Sequence, residues 1–574
     1  MTAREFRRAR TGAMAVLVGL AVALPPGAVH AQSASEITPD SFLPPLQNLD
    51  GAVVFPGGAA TEAPPGSESI GIALSGVRLE DARPELAAAN RAFEARLTRG
   101  RIPVSELFEA TGDLERTYAE AGYVLTRVVL PEQEVRDGGT LRVVVVQGLV
   151  ERIDSTGVAG PVRGRIERVT EPLLEDAAVT LRDLERQLLL AGDTAGVVLG
   201  TALATGERPG GTVLALDTQF RPVTGFFGFD NYGSDELGGE ALSFGLELNS
   251  PFGLGETFYG RFTTSVEEAF SDEPRQRVAA IGALVPLGGS GLALNLEMTR
   301  SVTHPDDPVA PTSSEFERQS LRLIYPFIRS RQLNVTGQLI LDHQTDEQDF
   351  AETGVPIYRD DFTVLRAGGS LTYLHEKGAV TEAGLILSRG IDAFGARRAS
   401  DATLAEPLSR SGADAVFTKL SGSVFHERAL AERVNLSIAG RFQTSFGDPL
   451  LTSEQFSIVG ESELSAFDSG ELRGDSGWVL RSELSTDVPL QAGRRTLVLS
   501  PYLFAAAGRV SIERPTAVEE KSVSGRAYGL GLDISIPAES RYRSNFVRIE
   551  FGKGERDDGG NDDTRFGVSG TFRF

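Results

Sequence analysis

A run of oxygen-bearing side chains near the C-terminus could bind a metal ion. These residues supply the carboxylate and amide oxygens that Ca²⁺ prefers, but their spacing does not match an EF-hand loop with its closing glutamate. Runs of charge are usually solvated surface, so we interpret this segment as an exposed loop and predict no metal site. The residues are Asp557, Asp558, Asn561, Asp562 and Asp563.

A serine nucleophile is the second chemistry to test. Ser476 lies in a Gly-Asp-Ser-Gly tetrapeptide, residues 474–477, which looks like the nucleophile segment of a serine protease. That reaction needs a histidine base and a buried carboxylate that orients the base. One of the 5 histidines lies within residues 1–31, and the others are scattered over the predicted strands and loops. We therefore predict no catalytic residue, no cofactor and no enzymatic activity.

Composition argues against several other functions. The 574 residues include no cysteine, which removes thiol catalysis and Cys-ligated metal sites. A net charge of −23 argues against binding to nucleic acid, which attracts basic surfaces. The chain is too long for one ordinary domain, and after its N-terminus no run of about 18 apolar residues predicts a membrane-spanning helix.

The first 31 residues predict export from the cytoplasm. Four arginines within residues 4–10 precede an apolar core at 13–24, and Ala31 ends a small-residue cleavage site. We predict a signal peptide over residues 1–31. Residues 32–68 are rich in proline, glycine, alanine and serine, a composition typical of a flexible linker without helical pattern.

Two similar α/β units follow the linker. Residues 69–148 begin with an alternating strand, continue with two helical stretches at 84–97 and 104–121, and end in two β-rich segments. Residues 149–217 repeat the same β-α-α-β-β order. Two small modules of one plan in series predict a periplasmic tandem.

Residues 218–574 predict a transmembrane β-barrel. We assign 16 alternating strands between residues 223 and 574, separated in turn by short turns and long polar loops such as 392–413 and 447–475. A closed barrel pairs every backbone amide inside a bilayer, and an even number of strands returns both chain ends to the periplasm. The fold class is therefore mixed, with tandem α/β domains followed by an antiparallel 16-stranded barrel. A soluble β-sandwich is the alternative, but it does not require long loops on one side only.

The last strand has the alternation that a barrel wall requires. Phe566, Phe572 and Phe574 share the face that would meet lipid, whereas Arg565 and Arg573 share the face that would meet a polar lumen. We also predict that Phe572 and Phe574 form a C-terminal assembly signal, read by the barrel assembly machinery.

A motif in the first α/β unit resembles a known domain. It is similar to the POTRA (polypeptide-transport-associated) domain of the two-partner secretion transporters, of the hemolysin-activator and filamentous-hemagglutinin type. The second unit looks similar around 184–197, and segments 229–233 and 249–255 look like the first strand and first turn of that family's barrel. The resemblance covers roughly residues 69–574. The POTRA motif positions are Tyr118, Gly122, Tyr123, Pro131, Gln133 and Gly138.

The segment 470–481 resembles the long sixth extracellular loop of that family and the strand after it. Counting back from this segment, the resemblance places the loop tip at Ser465 and Phe467, and the barrel wall that faces the tip at Phe504 and Ala506. The other loop residues singled out by the resemblance are Gly470, Glu471, Arg473, Gly474 and Asp475.

The chain departs from the family at this loop. Family members usually pair an arginine at the tip with an aspartate on the wall, and these positions are Ser465 and Ala506 here. Losing one partner of a buried ion pair costs roughly 3–5 kcal/mol, whereas losing both with small replacements is near neutral. We expect either substitute contacts from Asp468 or Arg473, or a more mobile loop. The family's N-terminal plug helix is not evident in residues 32–68.

The resemblance implies an outer-membrane translocator. It would capture an unfolded partner exoprotein with its periplasmic POTRA domains and pass this client through the barrel to the cell surface. An extended client could add a strand to an exposed edge of a POTRA sheet. The implied partners are the secreted client, the barrel assembly machinery during biogenesis and outer-membrane lipid.

Two alternatives stay open at this point. An outer-membrane assembly or insertion factor shares POTRA domains and a barrel but usually carries more POTRA units. A passive diffusion porin is the other, and it has no need for modules that recruit a polypeptide.

Overall fold

The computed structural model describes residues 32–44, 63–176, 179–266, 268–307, 311–468, 470–493, 495–517, 519–540, 543–560 and 562–574. The predicted signal peptide and residues 45–62 of the predicted linker lie outside this part. The chain divides into two compact units, residues 49–220 and residues 1–48 together with 221–574. Among the described residues, no helix is long and apolar enough to cross a membrane.

The first half of the α/β unit contains two small sheets and two helices. The alternating strand predicted at the start of residues 69–148 is divided in two near Leu74, because its two pieces pair with different partners. The short strand β1 pairs with β3, whereas β2 pairs in parallel with β5, which also pairs with β4. The elements are β1 Gly71–Ala73, β2 Gly76–Glu80, α1 Ala87–Leu97, β3 Arg101–Pro103, α2 Val104–Glu120, β4 Arg127–Val129 and β5 Thr140–Val146.

The second half repeats this plan with a larger sheet. Its first strand again lies parallel to its third, and its second strand lies antiparallel to the third at the sheet edge. Helix α4 begins with a capping box, in which the Thr180 hydroxyl accepts from the Asp183 amide and the Asp183 carboxylate accepts from the Thr180 amide. The elements are β6 Leu149–Gly157, α3 Gly160–Thr170, α4 Leu181–Gly192, β7 Val197–Thr205 and β8 Gly211–Phe220.

The compact unit that contains residues 221–574 is a closed antiparallel barrel of 16 strands, as the sequence predicts. The barrel closes where the last strand pairs with the first, with Arg573 opposite Phe226 and Ser569 opposite Asp230. The first eleven strands are β9 Val223–Asp230, β10 Ala241–Asn249, β11 Thr257–Ser265, β12 Gln276–Pro286, β13 Ala293–Thr303, β14 Thr312–Arg329, β15 Leu333–Phe350, β16 Pro356–Leu374, β17 Val380–Ile391, β18 Thr418–Ala429 and β19 Val434–Thr444.

The remaining barrel strands follow a long loop that carries its own short hairpin. That hairpin consists of β20 Phe456–Ser457 and β21 Arg473–Gly474. The twelfth barrel strand has two parts, β22 Ser476–Thr486 and β23 Val488–Ala492, which both pair with the next strand. The wall is completed by β24 Arg495–Ser511, β25 Ser522–Ser540, β26 Arg543–Arg556 and β27 Asp563–Arg573.

The two faces of the barrel strands differ in the way that a lipid-embedded wall requires. Phe566 on β27 and Phe574 directly after it are more than half exposed on the outer face, whereas Ser569 on the inner face of β27 is buried. The buried inner face is filled by protein, because loop residues and an N-terminal segment lie in the lumen. Loop 6 residues and residues 32–44 therefore occupy part of the interior.

The prediction of a flexible linker over residues 32–68 is wrong for the first 13 of these residues. Residues 32–44, here called the N-terminal segment, are not a free linker but lie inside the barrel, where Ala34 is fully buried. The backbone amide of Ala34 donates to Ser314 over 3.0 Å, and the Ser35 hydroxyl donates to Asp346 over 2.6 Å. The sequence conceals this because short polar side chains that match a polar lumen have the same composition as a flexible linker.

Candidate functional site

Loop 6, residues 445–475, is the largest piece of chain inside the lumen. It leaves β19 and forms the β20–β21 hairpin, and residues 460–468 lie between the two strands of that hairpin. Leu464, Ala466 and Phe467 at its tip are all buried, and they form one apolar cluster with residues of the wall. Phe504 and Ala506, predicted to face the tip, belong to the same cluster.

The wall makes room for the tip with glycines on two neighbouring strands. A Cβ atom on Gly554 would lie 2.7 Å from the Phe467 ring, and one on Gly525 would lie 2.8 Å from the side chains of Leu464 and Leu472. Real Cβ atoms do not approach so closely, so these positions on β25 and β26 need glycine if the loop is to dock as it does.

Ser465 contacts a pair of opposite charges on the wall. Its hydroxyl donates to the carboxylate of Glu550 on β26 and accepts from Nη1 of Arg481 on β22 over 2.8 Å. Arg481 and Glu550 are themselves ion-paired, and the Tyr502 hydroxyl donates to Glu550 over 2.6 Å. The tip position of the family's arginine thus carries a serine that shares hydrogen bonds with an ion pair of the wall.

Asp468 and Arg473 both have charged partners. Asp468 pairs with Arg565 on β27, and Arg565 also donates to the backbone carbonyl of Phe467 over 3.1 Å. Arg473 pairs with Glu36 of the N-terminal segment, and both side chains are buried. Loop 6 is therefore joined to the wall on one side and to the N-terminal segment on the other.

Asp475 connects three extracellular loops. Its side chain is fully buried and accepts hydrogen bonds from Arg410 in loop 5 (residues 392–417), from the backbone amide of Leu450 in loop 6 and from that of Glu513 in loop 7 (residues 512–521). The two backbone bonds are 2.9 and 2.6 Å long. The Gly-Asp-Ser-Gly tetrapeptide thus provides a structural carboxylate, because Asp475 is committed to these loops.

Gly474 and Gly470 lie where a side chain would not fit. A Cβ on Gly474 would lie 2.5 Å from the Ser511 carbonyl oxygen, and Gly470 has a left-handed backbone with φ of 103°. A Cβ on Gly470 would also lie 2.0 Å from the side chain of Gln32. Both glycines therefore allow close approach of neighbouring chain to loop 6.

The surroundings of Glu471 in loop 6 change the pKa of its carboxyl. Burial, and after it the Asp563 carboxylate, raise the pKa of this carboxyl to about 7, although Arg556, 3.4 Å away, opposes the shift. A carboxyl of this kind is uncharged more often than an exposed glutamate at neutral pH.

The N-terminal segment is held by the wall along its length. Arg318 and Arg322 donate to the backbone carbonyls of Pro39 and Asp40 over 2.8 and 3.0 Å. The Phe42 amide donates to Glu297, which also lies 3.3 Å from Arg322. These hydrogen bonds fix the N-terminal segment to the wall. Its residues 34–37 form a single turn and not a helix.

The POTRA motif residues maintain the fold of their own unit. The fully buried Tyr118 donates from its hydroxyl to Asn90 over 3.1 Å and accepts from the Arg83 amide, whose guanidinium lies over the Tyr123 ring. Gly122, with φ of 99°, offers its carbonyl to the amide of Leu181 over 2.8 Å and so joins the two halves of the unit.

Gln133, Pro131 and Gly138 act at the edge of the first sheet. The Gln133 side chain accepts from the Arg142 amide over 2.8 Å and donates to the carbonyls of Arg142 and Pro131. Gly138, with φ of 77°, donates its amide to Ala73. The Gln133 amide therefore occupies part of the β5 edge, beyond the end of the short β4.

The C-terminal aromatic residues lie at the barrel seam. Phe574 exchanges backbone hydrogen bonds of 3.0 and 3.1 Å with Gly225, and the Phe572 ring stacks against Phe229 of the first strand at 6.4 Å. These contacts place both residues where the barrel closes; their role as a recognition signal stays a prediction.

Sequence reasoning missed the charged wall residues and the N-terminal segment. Arg481, Glu550 and Arg410 have no motif of their own. Arginine and glutamate at lumen-facing positions of predicted strands could have indicated partners, because such side chains cannot face lipid.

The architecture defines the class: an outer-membrane β-barrel with a periplasmic POTRA region. A sequence profile described as haemolysin secretion/activation protein ShlB/FhaC/HecB matches residues 210–532, and a ShlB-type POTRA profile matches residues 72–148. This chain belongs to the ShlB/FhaC/HecB family of haemolysin secretion/activation proteins.

Relatives of known name agree with this membership. The outer membrane transporter CdiB of Escherichia coli O6:K15:H31 (strain 536 / UPEC) is 26% identical over 397 residues, which are 67% of this chain and 64% of that protein. The chain therefore spans less than two thirds of this relative's length. The hemolysin transporter protein ShlB of Serratia marcescens is 25% identical over 498 residues, 84% of this chain and 81% of that protein.

Solved structures show the same fold. CdiB from Escherichia coli matches with a TM-score of 0.68 and 20% identity, over 100% of this chain and 99% of that one. CdiB from Acinetobacter baumannii matches with a TM-score of 0.61 and 16% identity, over 100% and 98% of the two chains.

Proposed function

We propose that this protein carries an exported polypeptide client across the outer membrane, taking it in an extended form at the POTRA region and passing it through the barrel. Its named relatives are transporters, and the barrel interior is occupied by chain segments held through hydrogen bonds and ion pairs. Such contacts are exchangeable in a way that a permanent apolar core is not. Nothing in this proposal requires a catalytic residue.

We further propose the domain organisation expected from the sequence. Residues 1–31 act as signal peptide, 69–148 and 149–217 as two POTRA domains and 218–574 as the barrel. The repeated strand order of the two α/β halves supports the second POTRA domain. Outer-membrane lipid and, during biogenesis, the barrel assembly machinery are the other partners, the latter reading Phe572 and Phe574.

The observation that carries the capture step is the free edge of β7. This strand of nine residues, Val197–Thr205, contains no charged residue and no proline, and its pairing with β8 has no bulge. Among the described residues, no strand pairs with its other edge. Proteins usually protect such edges with charge, proline or bulges, so an unprotected edge is suited to receiving another strand.

The other edges of the two three-stranded α/β sheets are protected. β2 is five residues long and carries Arg78 and Glu80. β4 is three residues long, and the Gln133 side chain occupies the neighbouring part of β5. β6 carries charged residues and two register irregularities. An extended client would therefore add to β7.

The backbone register identifies the amides that a client would use. The Gly206 amide donates to the Gly211 carbonyl across the β7–β8 pair. In an antiparallel pair, alternate residues face the partner strand, so Gly200, Ala202 and Ala204 point their amides toward β8. The amides of Leu199, Thr201 and Leu203 then point to the free edge.

The experiment has two stages. Deleting the gene in its own host and comparing the proteins of the culture medium and cell surface by mass spectrometry should reveal an exported protein that disappears. Thr201→Pro, which removes one free-edge amide without breaking the β8 ladder, should reduce its export, while the matched Thr201→Ala should not. No lost protein after deletion contradicts translocation, and normal export by Thr201→Pro contradicts capture at β7.

A further inference from the structure

The tip of loop 6 is held by an ion pair that belongs entirely to the barrel wall. Arg481 donates to the Ser465 hydroxyl over 2.8 Å and to the Glu463 carbonyl over 3.2 Å. Glu550 accepts from the same hydroxyl. Ser465, Arg481 and Glu550 are only 2–3% exposed, so these bonds form in an interior from which water is excluded.

The wall residues hold each other independently of the loop. Arg481 donates from Nε to Glu483 over 2.8 Å and forms its ion pair with Glu550, which also accepts from Tyr502. Arg548 lies 2.9 Å from Asp533 and 3.3 Å from Glu483. A network of this kind remains satisfied on its own strands when a neutral hydroxyl leaves it.

The location of the pair explains the two substitutions in the loop and wall. Arg481 lies directly opposite Ala506 in the register of β22 and β24. The arginine therefore sits on the strand next to the position where the resemblance places an aspartate, and the acid lies on β26. Ser465 needs no charge because both charges are already on the wall.

We infer that Arg481 and Glu550 are the positioning pair for loop 6 and that they hold its tip through the Ser465 hydroxyl, so that Ser465 can leave the pair without separating its two charges. A tip arginine would leave an unpaired buried carboxylate behind when the loop moves. Here the release of Ser465 breaks hydrogen bonds to a neutral residue and leaves the Arg481–Glu550 pair intact, while the ion pair between Asp468 and Arg565 opens separately. The inference rests on the proposed transport function only for its biological use, because the docking of the loop is measurable without a client.

The cysteine-free sequence permits a direct test in the purified full-length barrel in detergent. Ala466→Cys places a single thiol at the buried tip, next to Ser465. With a water-soluble maleimide, we expect slow labelling in this background and labelling about tenfold faster or more when Ser465→Ala is added, because hydrogen bonds to charged groups are lost. Ser465→Thr, which keeps the hydroxyl, should label slowly.

A second set of variants tests the wall pair without leaving a lone charge. Arg481→Met with Glu550→Leu should fold as a barrel, judged by heat-modifiable migration, yet label about as fast as Ser465→Ala. The matched control is Arg261→Met with Glu247→Leu, a similarly buried pair that joins β10 and β11 and should leave labelling slow. An exchange variant, Ser465→Arg with Arg481→Ser, should slow labelling again by pairing the tip with Glu550.

The outcomes separate this inference from the proposed function. Equal slow labelling in Ser465→Ala and in the Arg481/Glu550 double variant would overturn the positioning role. Fast labelling in the Arg261/Glu247 control would also overturn it, because loss of any buried ion pair of the wall would then release the tip. Export of the client does not enter either result.

Discussion

The carboxylate of Asp475 accepts a hydrogen bond from Arg410, and the two residues come from different extracellular loops. Both side chains are buried, and Asp475 also receives backbone amides from Leu450 and Glu513. Loops 5, 6 and 7 are thus fixed to one carboxylate near the outer end of the lumen.

The first prediction concerns this carboxylate. Asp475→Ala leaves Arg410 buried without its charge partner, which should cost about 3–5 kcal/mol in the stability of the loop assembly. We expect faster proteolysis of loops 5–7 in intact cells and a larger ion conductance in planar bilayers. Glu520→Ala, which removes an exposed acid from loop 7, is the control and should match the wild type. Unchanged proteolysis in Asp475→Ala would contradict the role of this residue.

The glycine wall gives the second prediction. Gly554→Ala puts a Cβ within 2.7–3.0 Å of three atoms of the Phe467 ring, so the ring must move. Overpacking of this kind typically costs about 1–3 kcal/mol. The single thiol of Ala466→Cys should become more reactive while the barrel stays folded. Gly260→Ala is matched to it, because a Cβ there meets no atom within 4 Å.

The third prediction is a pH dependence of loop 6. The folded-state pKa of Glu471 is raised to about 7 from an ordinary 4.5, so its contribution to docking is fully present below pH 4.5 and is lost as the pH rises through 7. Hydrogen exchange in residues 460–475, corrected for the intrinsic rate, should therefore be faster at pH 8 than at pH 5.

A substitution isolates this titration. Glu471→Gln keeps the shape of the side chain and removes its charge, so it should flatten the pH dependence and protect the loop at pH 8. Glu520→Gln should keep the wild-type profile. An identical pH profile in Glu471→Gln and wild type would show that another group controls the loop.

The fourth prediction concerns the pair that joins loop 6 to the N-terminal segment. Glu36→Ala leaves Arg473 buried without its carboxylate and should cost about 3–5 kcal/mol, whereas Glu36→Ala with Arg473→Met should recover much of this loss. Ion conductance in planar bilayers should rise in the single variant and fall back toward wild type in the double variant. Additive effects of the two substitutions would contradict a direct pairing.

The sequence predicts the architecture well because its signals are repetitive. The period of two recurs in 16 strands, and short turns alternate with long loops between them, so an error in one strand does not change the result. The two faces of the last strand, with Phe566 outside and Ser569 inside, follow from the same period.

The contacts within the lumen were less accessible to sequence reasoning. Arg481 meets Glu550 across 69 residues of chain and Ser465 across 16, and no local pattern encodes such pairings. The N-terminal segment is hard to predict for a related reason: Ser35 and Thr38 are typical linker residues, and only the shape of the lumen makes them hydrogen-bond partners of the wall. Loop 6, by contrast, was located through its resemblance to a family.

The position of the N-terminal segment also constrains how the molecule is made. Residues 32–44 are synthesised before any strand of the wall that surrounds them, while the seam between β27 and β9 can form only after the final residues exist. Either the N-terminal segment is already inside when β27 pairs with β9, or it enters the closed barrel afterwards through one end. Enclosure of residues 32–44 is thus a separate step of biogenesis. A barrel whose seam forms before this step would be closed with residues 32–44 outside its lumen.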